Sequence, residues 1–596
     1  MEQIIYVVSV ILLFLAATLI KIKDEKINFI SHLGISIVVF LCYNSFVCLI
    51  LTIICIPTNL IALSIINFII SLILFVIIKK QNCIQKYTIN YKDVIATILI
   101  LMIAITTSVL NFGKDLNIKY LATDASMHYK AAKEFSENDK LLYKVNEDIG
   151  ISKEFMTGAY TNTGILFKIF NPIVGEMNLY KVFICFDILL YFLTGLMLYI
   201  AISKLIKTKF TYILSLLFII LYLIGYPLNS LIFGFTYFQL GILIVETIVV
   251  FFQEEKNEKI SKNKKILGAI ILFLLNFGVF FSYLLLVPII YATEGIYFLI
   301  KEYKNNKKYF TKKSILTILF TLVIPFIIGI FYFALPHLFA RQSEFFLQIE
   351  GYIYRNYWSN FILLLPIAVL CFKKKNNEIQ FLEILFITLF LFMIAMFIGI
   401  WKFQLSSYYY CKNNFLLWFI LWYGMLYSFN IYADKKIFKT FIIIYSILYM
   451  FFTGLLIYIG TPISKKVWDK ETILNSFDIY GINKTIIKTV DVDYTYDELE
   501  LVKYVYNDID LKENKILILA NARQECWFDG FFTYKNREDL QKLVSKEEIQ
   551  NWNDNEKYKY AIIFKRSYIY DHYKDLFEEK NVLFQNESGI VFENNI

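Results

Sequence analysis

Residues 94–128 read VIATILILMIAITTSVLNFGKDLNIKYLATDASMH and pass directly from an apolar run into polar sequence. Val94–Leu110 has no charged residue and is long enough to cross a bilayer. The polar stretch that follows, Asn111–Glu176, has roughly 65 residues, and loops of that length usually carry function. It contains Asp124-Ala-Ser-Met-His128. We therefore expect the chemistry of this protein around Asp124.

The composition of the chain indicates a membrane protein. Its 596 residues are 58% hydrophobic and 18% charged, with a mean hydropathy of +0.56. Soluble domains have about 45–50% apolar and about 25% charged residues. Apolar runs of about 20 residues recur from Ile4 to Ile459, which predicts a polytopic α-helical protein. The first run, Ile4–Ile20, has no small-residue cleavage site after it and is interpreted as a retained span.

Charge divides the chain into two parts. From Gly460 onward the net charge is −6, whereas the preceding part carries +15. This basic excess lies in short loops between spans, so it predicts orientation in the membrane rather than binding to nucleic acid. The lysine-rich segments that mark the cytoplasmic side are Lys21–Lys26, Lys79–Lys92, Lys204–Lys209, Glu254–Lys265, Lys301–Lys313, Lys373–Lys375 and Lys435–Lys439.

Those markers predict about 14 spans. Phe361–Phe372 is counted as one of them, and Ile266–Ile300 as a tight pair. The same parity places four polar segments on the external face: Asn111–Glu176, Pro336–Asn360, Trp401–Asn414 and everything after the last span. We therefore expect residues 1–93 to form N-terminal transmembrane helices and residues 94–460 to form a transmembrane core. Residues 461–596 follow as a soluble domain.

The C-terminal part alternates strand and helix patterns, which predicts a small α/β domain. The expected helices are Glu498–Asn507, Arg537–Asn551 and Tyr568–Glu579, and the expected strands are Lys515–Ala520 and Tyr560–Phe564, with a closing hairpin over Val582–Phe592. It contains no glycine-rich phosphate loop and no G-x-S-x-G motif. An accessory or acceptor-positioning role is the simplest interpretation.

Asp124 and His128 are the candidate catalytic residues. A carboxylate just beyond a span could take a proton from an acceptor hydroxyl as that hydroxyl attacks a sugar carbon. If Ala125–Glu137 is helical, His128 lies one turn from Asp124 on the same face and could orient it or contact a phosphate. The alternative is structural, because Asp is also a favoured helix N-cap. Asp115 is a candidate second acid.

Polar residues at the ends of two other spans could bind a lipid phosphate. Lys412 stands at an expected outer membrane edge, where it could steady a leaving phosphate or simply snorkel to the headgroups. Tyr408, Tyr409 and Tyr410 could cover lipid and sugar, or form an interfacial belt. In the segment Pro336–Asn360, Arg355 could grip a phosphate and Glu350 could act as an acid, although solvated loop charge explains both equally well.

Two acids, Asp187 and Glu246, fall inside predicted spans and are candidate buried polar contacts. The eight cysteines and four histidines lack the spacing of metal ligands, so we expect no zinc site.

Asp124-Ala-Ser-Met-His128-Tyr129 is similar to the Asp-x-x-x-His-like stretches of bacterial members of the GT-C superfamily of integral-membrane glycosyltransferases. Gly225-Tyr-Pro-Leu-Asn229 and Ser407-Tyr-Tyr-Tyr-Cys-Lys412 also resemble segments of uncharacterised bacterial proteins of this kind. As architecture, the resemblance covers roughly Val94–Ile459. It consists of many spans, an acidic motif in a large external loop and a soluble domain after the last span.

This resemblance implies transfer of a sugar, with inversion, from a polyprenyl-phosphate donor to an envelope glycan or protein on the outer face of the plasma membrane. It implies that the loop acid corresponds to Asp124. No cofactor is required by these residues, and a divalent metal stays an open alternative. Two other functions also stay open: a lipid-sugar flippase or transporter, and an envelope polysaccharide polymerase or ligase. A non-enzymatic envelope scaffold is a fourth interpretation.

Overall fold

The computed structural model describes residues 1–21, 26–81, 84–143, 154–155, 158–254, 262–335, 361, 364–373, 379–404, 407–459, 479–510, 516–532, 537–538, 559–574 and 581–593. Two candidate site residues, Glu350 and Arg355, lie outside these ranges.

The part of the chain before residue 460 is almost wholly helical. In chain order its helices are α1 Glu2–Leu19, α2 Phe29–Ile53, α3 Leu60–Gln81, α4 Tyr91–Phe112, α5 Asp124–Asn138, α6 Gly158–Val174, α7 Leu179–Ser203, α8 Lys209–Leu223, α9 Tyr226–Phe233, α10 Thr236–Glu254, α11 Lys262–Ser282, α12 Val287–Asn306, α13 Lys312–Ala334, α14 Leu365–Val369, α15 Gln380–Phe403, α16 Ser407–Tyr432 and α17 Lys436–Ile459. Two two-stranded sheets pair β1 Ile27–Asn28 with β2 Tyr87–Thr88, and β3 Leu142–Tyr143 with β4 Glu154–Phe155.

Within the described residues, 13 helical segments are long and apolar enough to cross a membrane. This confirms a multi-pass membrane protein. The predicted pair within Ile266–Ile300 is present as α11 and α12. The difference from the predicted 14 lies at Phe361–Phe372, where the structure has the short helix α14 followed by a 3₁₀ turn.

The spans divide into a buried centre and a lipid-facing rim. α16 and α10 are the most enclosed spans: 89% and 83% of the residues in their most apolar segments are buried inside the protein. The spans that contain α7 and α8 follow. By contrast α1, α3 and α17 are each 22% buried. Apolar faces that no protein covers are stable only in lipid, so the central helices are the ones that can hold polar side chains away from it.

The predicted loop Trp401–Asn414 is largely helical. α15 continues to Phe403 and α16 begins at Ser407, so the polar run that includes Asn413 and Lys412 forms the first two turns of α16. Asn413 Nδ2 donates to the Tyr409 carbonyl at 2.9 Å, which places this donor within the helix. Side chains that bond back to the preceding turn are compatible with a continuous helix.

The C-terminal region, described within residues 479–593, confirms the predicted α/β fold. Its helices are α18 Ile479–Thr489, α19 Tyr496–Asp508, α20 Ala522–Phe531 and α21 Tyr568–Tyr573. Its strands are β5 Ile516–Leu519, β6 Arg537–Glu538, β7 Tyr560–Phe564, β8 Asn581–Asn586 and β9 Gly589–Glu593, arranged in the order β6-β5-β7-β9-β8.

The details of this sheet follow the sequence pattern closely. The predicted strand at Tyr560–Phe564 and the hairpin turning at Glu587–Ser588 are both present. The fully buried run Ile516–Leu519 pairs in parallel with β6 and β7 at the centre of the sheet. The predicted helix Arg537–Asn551 is wrong at its start, because residues 537–538 form β6, and its remainder lies outside the described residues.

Candidate active site

Asp124 is the first residue of α5. Thr123 precedes the helix as its N-cap and makes no side-chain capping bond, so Asp124 does not occupy the N-cap position that the structural alternative requires. A carboxylate in the first turn of a helix is favoured by the partial positive charge of the unpaired backbone N–H groups. The carboxyl of Asp124 lies within electrostatic range of the Lys412 ammonium, which stands at the start of α16.

The Lys412 side chain is the least expected part of the site. It is 1% exposed, and its Nζ makes no hydrogen bond to any atom that the structure describes. This burial excludes simple snorkelling to the headgroups as its arrangement here. Aromatic rings surround the ammonium instead, with Nζ-to-centroid distances of 4.4 Å to Phe235, 4.5 Å to Tyr408, 5.0 Å to Tyr283, 5.2 Å to Phe238 and 5.8 Å to Tyr237.

These rings stabilise the charge but do not neutralise it. The face of an aromatic ring attracts a cation, with a contribution of about 0.5–2 kcal/mol per favourable contact. An unpaired buried ammonium is otherwise costly, so side chains of this kind in a membrane bundle usually mark a functional site. The arrangement therefore holds a positive charge in place and leaves it available to an anionic group.

His128 is held in one orientation next to the acid. Its Nδ1 lies 3.0 Å from the Gly234 carbonyl oxygen, which can only accept, so Nδ1 carries the hydrogen. The Tyr237 ring packs edge-on against the imidazole at 4.5 Å, and the Tyr160 ring lies at 5.3 Å. Burial lowers the pKa of His128 to about 3, with the Gly234 hydrogen bond acting against the shift and the Lys412 charge adding to it.

His128 is therefore neutral near pH 7, with Nε2 unprotonated. A neutral imidazole of this tautomer accepts a hydrogen bond and supplies no positive charge to a phosphate. Burial also raises the pKa of the Asp124 carboxyl above its ordinary value, while the charge of Lys412 acts to lower it. A carboxyl with a raised pKa is a stronger base once ionised, as general-base catalysis requires.

Close backbone packing brings these groups together. Gly234, between α9 and α10, has a φ of +70°, and a Cβ there would lie 2.5 Å from the Ala125 Cβ. The Leu121 N–H donates to the Ile232 carbonyl at 2.9 Å. The α9–α10 corner therefore lies directly against the first turn of α5, which places the aromatic residues of α10 near Asp124.

The three tyrosines of α16 have different positions. Tyr408 lies over the Lys412 ammonium, and both Tyr408 and Tyr409 are within electrostatic range of Asp124. Tyr410 instead packs near Phe397 of α15, with their centroids 6.3 Å apart. Two of the three predicted tyrosines thus lie close to the acid.

The remaining acids lie elsewhere. Asp187 accepts from the Tyr120 hydroxyl at 3.0 Å, and Glu246 accepts from the Tyr222 hydroxyl at 2.5 Å, so both make buried polar contacts. Asp115 is exposed, with electrostatic influence on Tyr180.

The sequence did not single out several of the rings around Lys412, among them Phe235, Phe238 and Tyr283. The available signal was the aromatic run Phe235-Thr-Tyr-Phe238, which follows Gly234 at the end of α9. Among the described residues, no group of three or more His, Cys, Asp or Glu side chains is placed to hold a metal ion.

The chain matches no protein-family model and no curated protein. Solved structures similar to it include two of oligosaccharyltransferases and one of ArnT. The oligosaccharyltransferase of Archaeoglobus fulgidus in the apo form has 11% identity and a TM-score of 0.47, over 80% of this chain and 70% of that one. ArnT from Cupriavidus metallidurans bound to undecaprenyl phosphate has 8% identity and a TM-score of 0.44, over 84% and 97%.

The third structure is the archaeal oligosaccharyltransferase AglB from Archaeoglobus fulgidus, in complex with an inhibitory peptide and a dolichol-phosphate. It has 10% identity and a TM-score of 0.42, over 80% of this chain and 69% of that one. With TM-scores below 0.5, the likeness of the chain to these three structures is distant.

Proposed function

We propose that this protein is a membrane glycosyltransferase that moves a sugar from a polyprenyl-phosphate donor to an envelope acceptor. One observation carries the proposal: a buried ammonium, Lys412, has aromatic neighbours but no hydrogen-bonded acid among the residues that the structure describes, and it stands beside Asp124. A cation and a carboxylate that share one site but are not bonded to each other suit a reaction that needs both a leaving anion and a base.

In the proposed reaction the acceptor hydroxyl attacks the anomeric carbon of the donor sugar. Asp124 takes the hydroxyl proton as the new carbon–oxygen bond forms. The bond from the anomeric carbon to the phosphate oxygen breaks, and polyprenyl phosphate leaves with the electron pair. Lys412 offsets the negative charge that develops on that phosphate. Attack on the side opposite the leaving group inverts the anomeric centre.

The surrounding side chains fit a sugar bound between acid and cation. The rings of Tyr237 and Tyr408 offer flat apolar faces, and His128 offers Nε2 as an acceptor for a hydroxyl. The charge asymmetry of the loops supports a plasma-membrane location with the site on the outer face. Arg355 and Glu350 are proposed as further phosphate and acceptor contacts from the segment between α13 and α14.

The test uses the full-length chain in proteoliposomes with a panel of undecaprenyl-phosphoryl hexoses and pentoses and an envelope glycolipid extract as acceptor. Mass spectrometry follows release of undecaprenyl phosphate and formation of a glycosylated product. We expect Asp124→Asn to lower turnover about 10²–10⁴-fold, which is the usual contribution of a general base. A parallel assay in EDTA measures whether transfer depends on a divalent cation.

Asp115→Asn is the matched control. It makes the same carboxylate-to-amide change in the same polar stretch, at an exposed residue outside the site, and should keep wild-type turnover. Full transfer by Asp124→Asn would overturn the role of this acid. Movement of the lipid-linked sugar across sealed liposomes without any transferred product would overturn the proposed function in favour of a transporter.

A further inference from the structure

The C-terminal region makes hydrogen bonds to the backbone of residues 118–121, just before Asp124. The Asp493 N–H donates to the Ile118 carbonyl at 2.7 Å. The guanidinium of Arg523, at the start of α20, donates from Nη1 to the Tyr120 carbonyl at 3.1 Å and from Nη2 to the Leu121 carbonyl at 2.9 Å. One planar guanidinium thus binds two consecutive carbonyls just before α5, the helix that begins at Asp124.

The Arg523 guanidinium is itself held in position by Asp493. Arg523 Nη1 lies 3.5 Å from Asp493 Oδ1, and the other oxygen of Asp493 accepts from the Trp527 indole N–H at 2.9 Å. The indole stacks on the Tyr120 ring, with centroids 6.0 Å apart and planes at 19°. The C-terminal region therefore holds both the backbone and the side chain of Tyr120.

The membrane helices hold the opposite side of the same segment. The Tyr120 hydroxyl reaches Asp187 of α7, and the Leu121 N–H reaches Ile232 of α9. In the second turn of α5, Lys130 pairs with Asp529 of α20 at 2.7 Å. Residues 118–121 therefore lie between two parts of the chain that both bind them, and the C-terminal side supplies the contacts to their carbonyls.

We propose that Arg523 is a positioning residue of the active site: it sets the place of Asp124 relative to Lys412. This inference rests on the proposed function, and it makes the C-terminal region a part of the catalytic frame. The contacts of Arg523 are with residues 120, 121 and 493, whereas Lys412 and the rings around it belong to the α9–α10 connection (Phe235), α10, α16 and the α11–α12 connection. Loss of the Arg523 guanidinium should therefore displace Asp124 and leave the proposed phosphate site at Lys412 in place.

The experiment compares Arg523→Ala and Arg523→Lys with the wild-type chain in proteoliposomes. Arg523→Ala should lower the turnover number about 100-fold, which is the effect of a shift of about 1 Å in a reacting group. The KM for the lipid donor should change less than about threefold, since Lys412 is untouched. Arg523→Lys keeps the charge and can hold one carbonyl, so it should recover part of the turnover.

Hydrogen exchange gives a readout that does not need activity. In Arg523→Ala the amides of residues 118–124 should exchange faster than in the wild-type chain, while those of α10 and α16 keep their protection. Lys559→Ala is the matched control, because Lys559 is a half-exposed cation of the same region that pairs with Glu593 and lies away from this segment. It should behave as wild type in both measurements.

The outcomes separate this inference from the proposed function. Faster hydrogen exchange of residues 118–124 in Arg523→Ala, with no transferase activity in any protein including wild type, would support the structural role of Arg523 and overturn the proposed function. Normal turnover or normal local exchange in Arg523→Ala would overturn the positioning role. If Arg523→Ala raised both the KM for the donor and the hydrogen exchange of α10 and α16, the variant would have lost structure generally. That result would also overturn the positioning role of Arg523.

Discussion

At the scale of single residues, Lys412 shows how a membrane bundle can keep a charge that has no ion-pair partner in the described part of the chain. A buried cation that loses its water costs several kcal/mol unless other groups compensate. Here the compensation comes from ring faces, while Asp124 stays near enough to interact but makes no direct hydrogen bond. The residual cost suits a binding site, because an incoming phosphate would supply the missing partner.

Replacing Lys412 should change the acid as well as the phosphate contact. Since the Lys412 charge lowers the pKa of Asp124 against the effect of burial, Lys412→Met should raise that pKa further. A base must be ionised to act, so the acidic limb of the pH profile of kcat/KM should move to higher pH. Turnover at neutral pH should fall about 10²–10³-fold, as when one electrostatic stabiliser is lost.

Lys412→Arg supplies the control for this measurement. It preserves the positive charge, so the acidic limb should stay near its wild-type position even where the larger head group lowers the rate. An unchanged limb in Lys412→Met would show that the ammonium does not act on the catalytic acid.

At the scale of elements, the corner between α9 and α10 decides how closely α5 can approach the bundle. Gly234 has a positive φ. A Cβ at this position would lie 2.5 Å from the Ala125 Cβ and 2.9 Å from the Tyr120 ring, closer than van der Waals contact allows. Its carbonyl also receives the His128 N–H. A single glycine thus links the shape of the corner to the orientation of the site histidine.

Gly234→Ala should destabilise the protein for two separable reasons. A left-handed backbone costs a non-glycine residue about 1–2 kcal/mol. Overpacking against Ala125 should add about 1–3 kcal/mol. Gly175→Ala is a reference for positive φ without overpacking, because Gly175 has a φ of +77° with nothing within 4 Å of an added Cβ. Its ψ of +152° differs from the +36° of Gly234 and lies in a region that only glycine adopts readily.

Melting temperatures of the two variants in the same detergent check this prediction. Gly234→Ala should melt clearly below the wild-type protein and lose transfer activity, since α5 must move to admit the methyl group. Gly175→Ala should also melt below wild type, through its backbone alone, but should keep transfer activity. A Gly234→Ala variant with wild-type melting temperature and activity would show that the corner yields freely and does not determine the position of α5.

At the scale of the whole molecule, charge and apolar surface together predict orientation. The membrane part carries a net charge of +15, and its lysines cluster in short loops. Such loops remain in the cytoplasm during insertion. By the same rule we expect α5, the α9–α10 corner and the C-terminal region on the opposite side, where an envelope acceptor would be reached.

Cysteine labelling in intact cells tests that topology. In a background in which all eight native cysteines are replaced by serine, Lys488→Cys in α18 should react with a membrane-impermeant maleimide. Lys308→Cys, equally exposed between α12 and α13, should react only after permeabilisation. The reverse labelling pattern would place the active site in the cytoplasm.

The sequence alone determined the membrane class, the limits of most spans and the core of the C-terminal sheet. Runs of apolar residues and the placement of lysines are local properties, so they can be identified along the chain without knowledge of its folding. The buried strand Ile516–Leu519 and the hairpin after Asn581 were predicted for the same reason. The predicted count of about 14 spans agrees with the 13 long apolar helices of the described residues, and at Phe361–Phe372 those residues form the short helix α14 and a 3₁₀ turn.

Only the tertiary structure decided that Asp124, His128 and Lys412 lie together. Their proximity depends on the close approach of α5 to the α9–α10 corner and on the burial of the first turns of α16, which looked like a polar loop in the sequence. Contacts between distant segments leave no periodic signal in either segment. The positioning of Asp124 by Arg523 is of the same kind, since it depends on how the C-terminal region packs against residues 118–121.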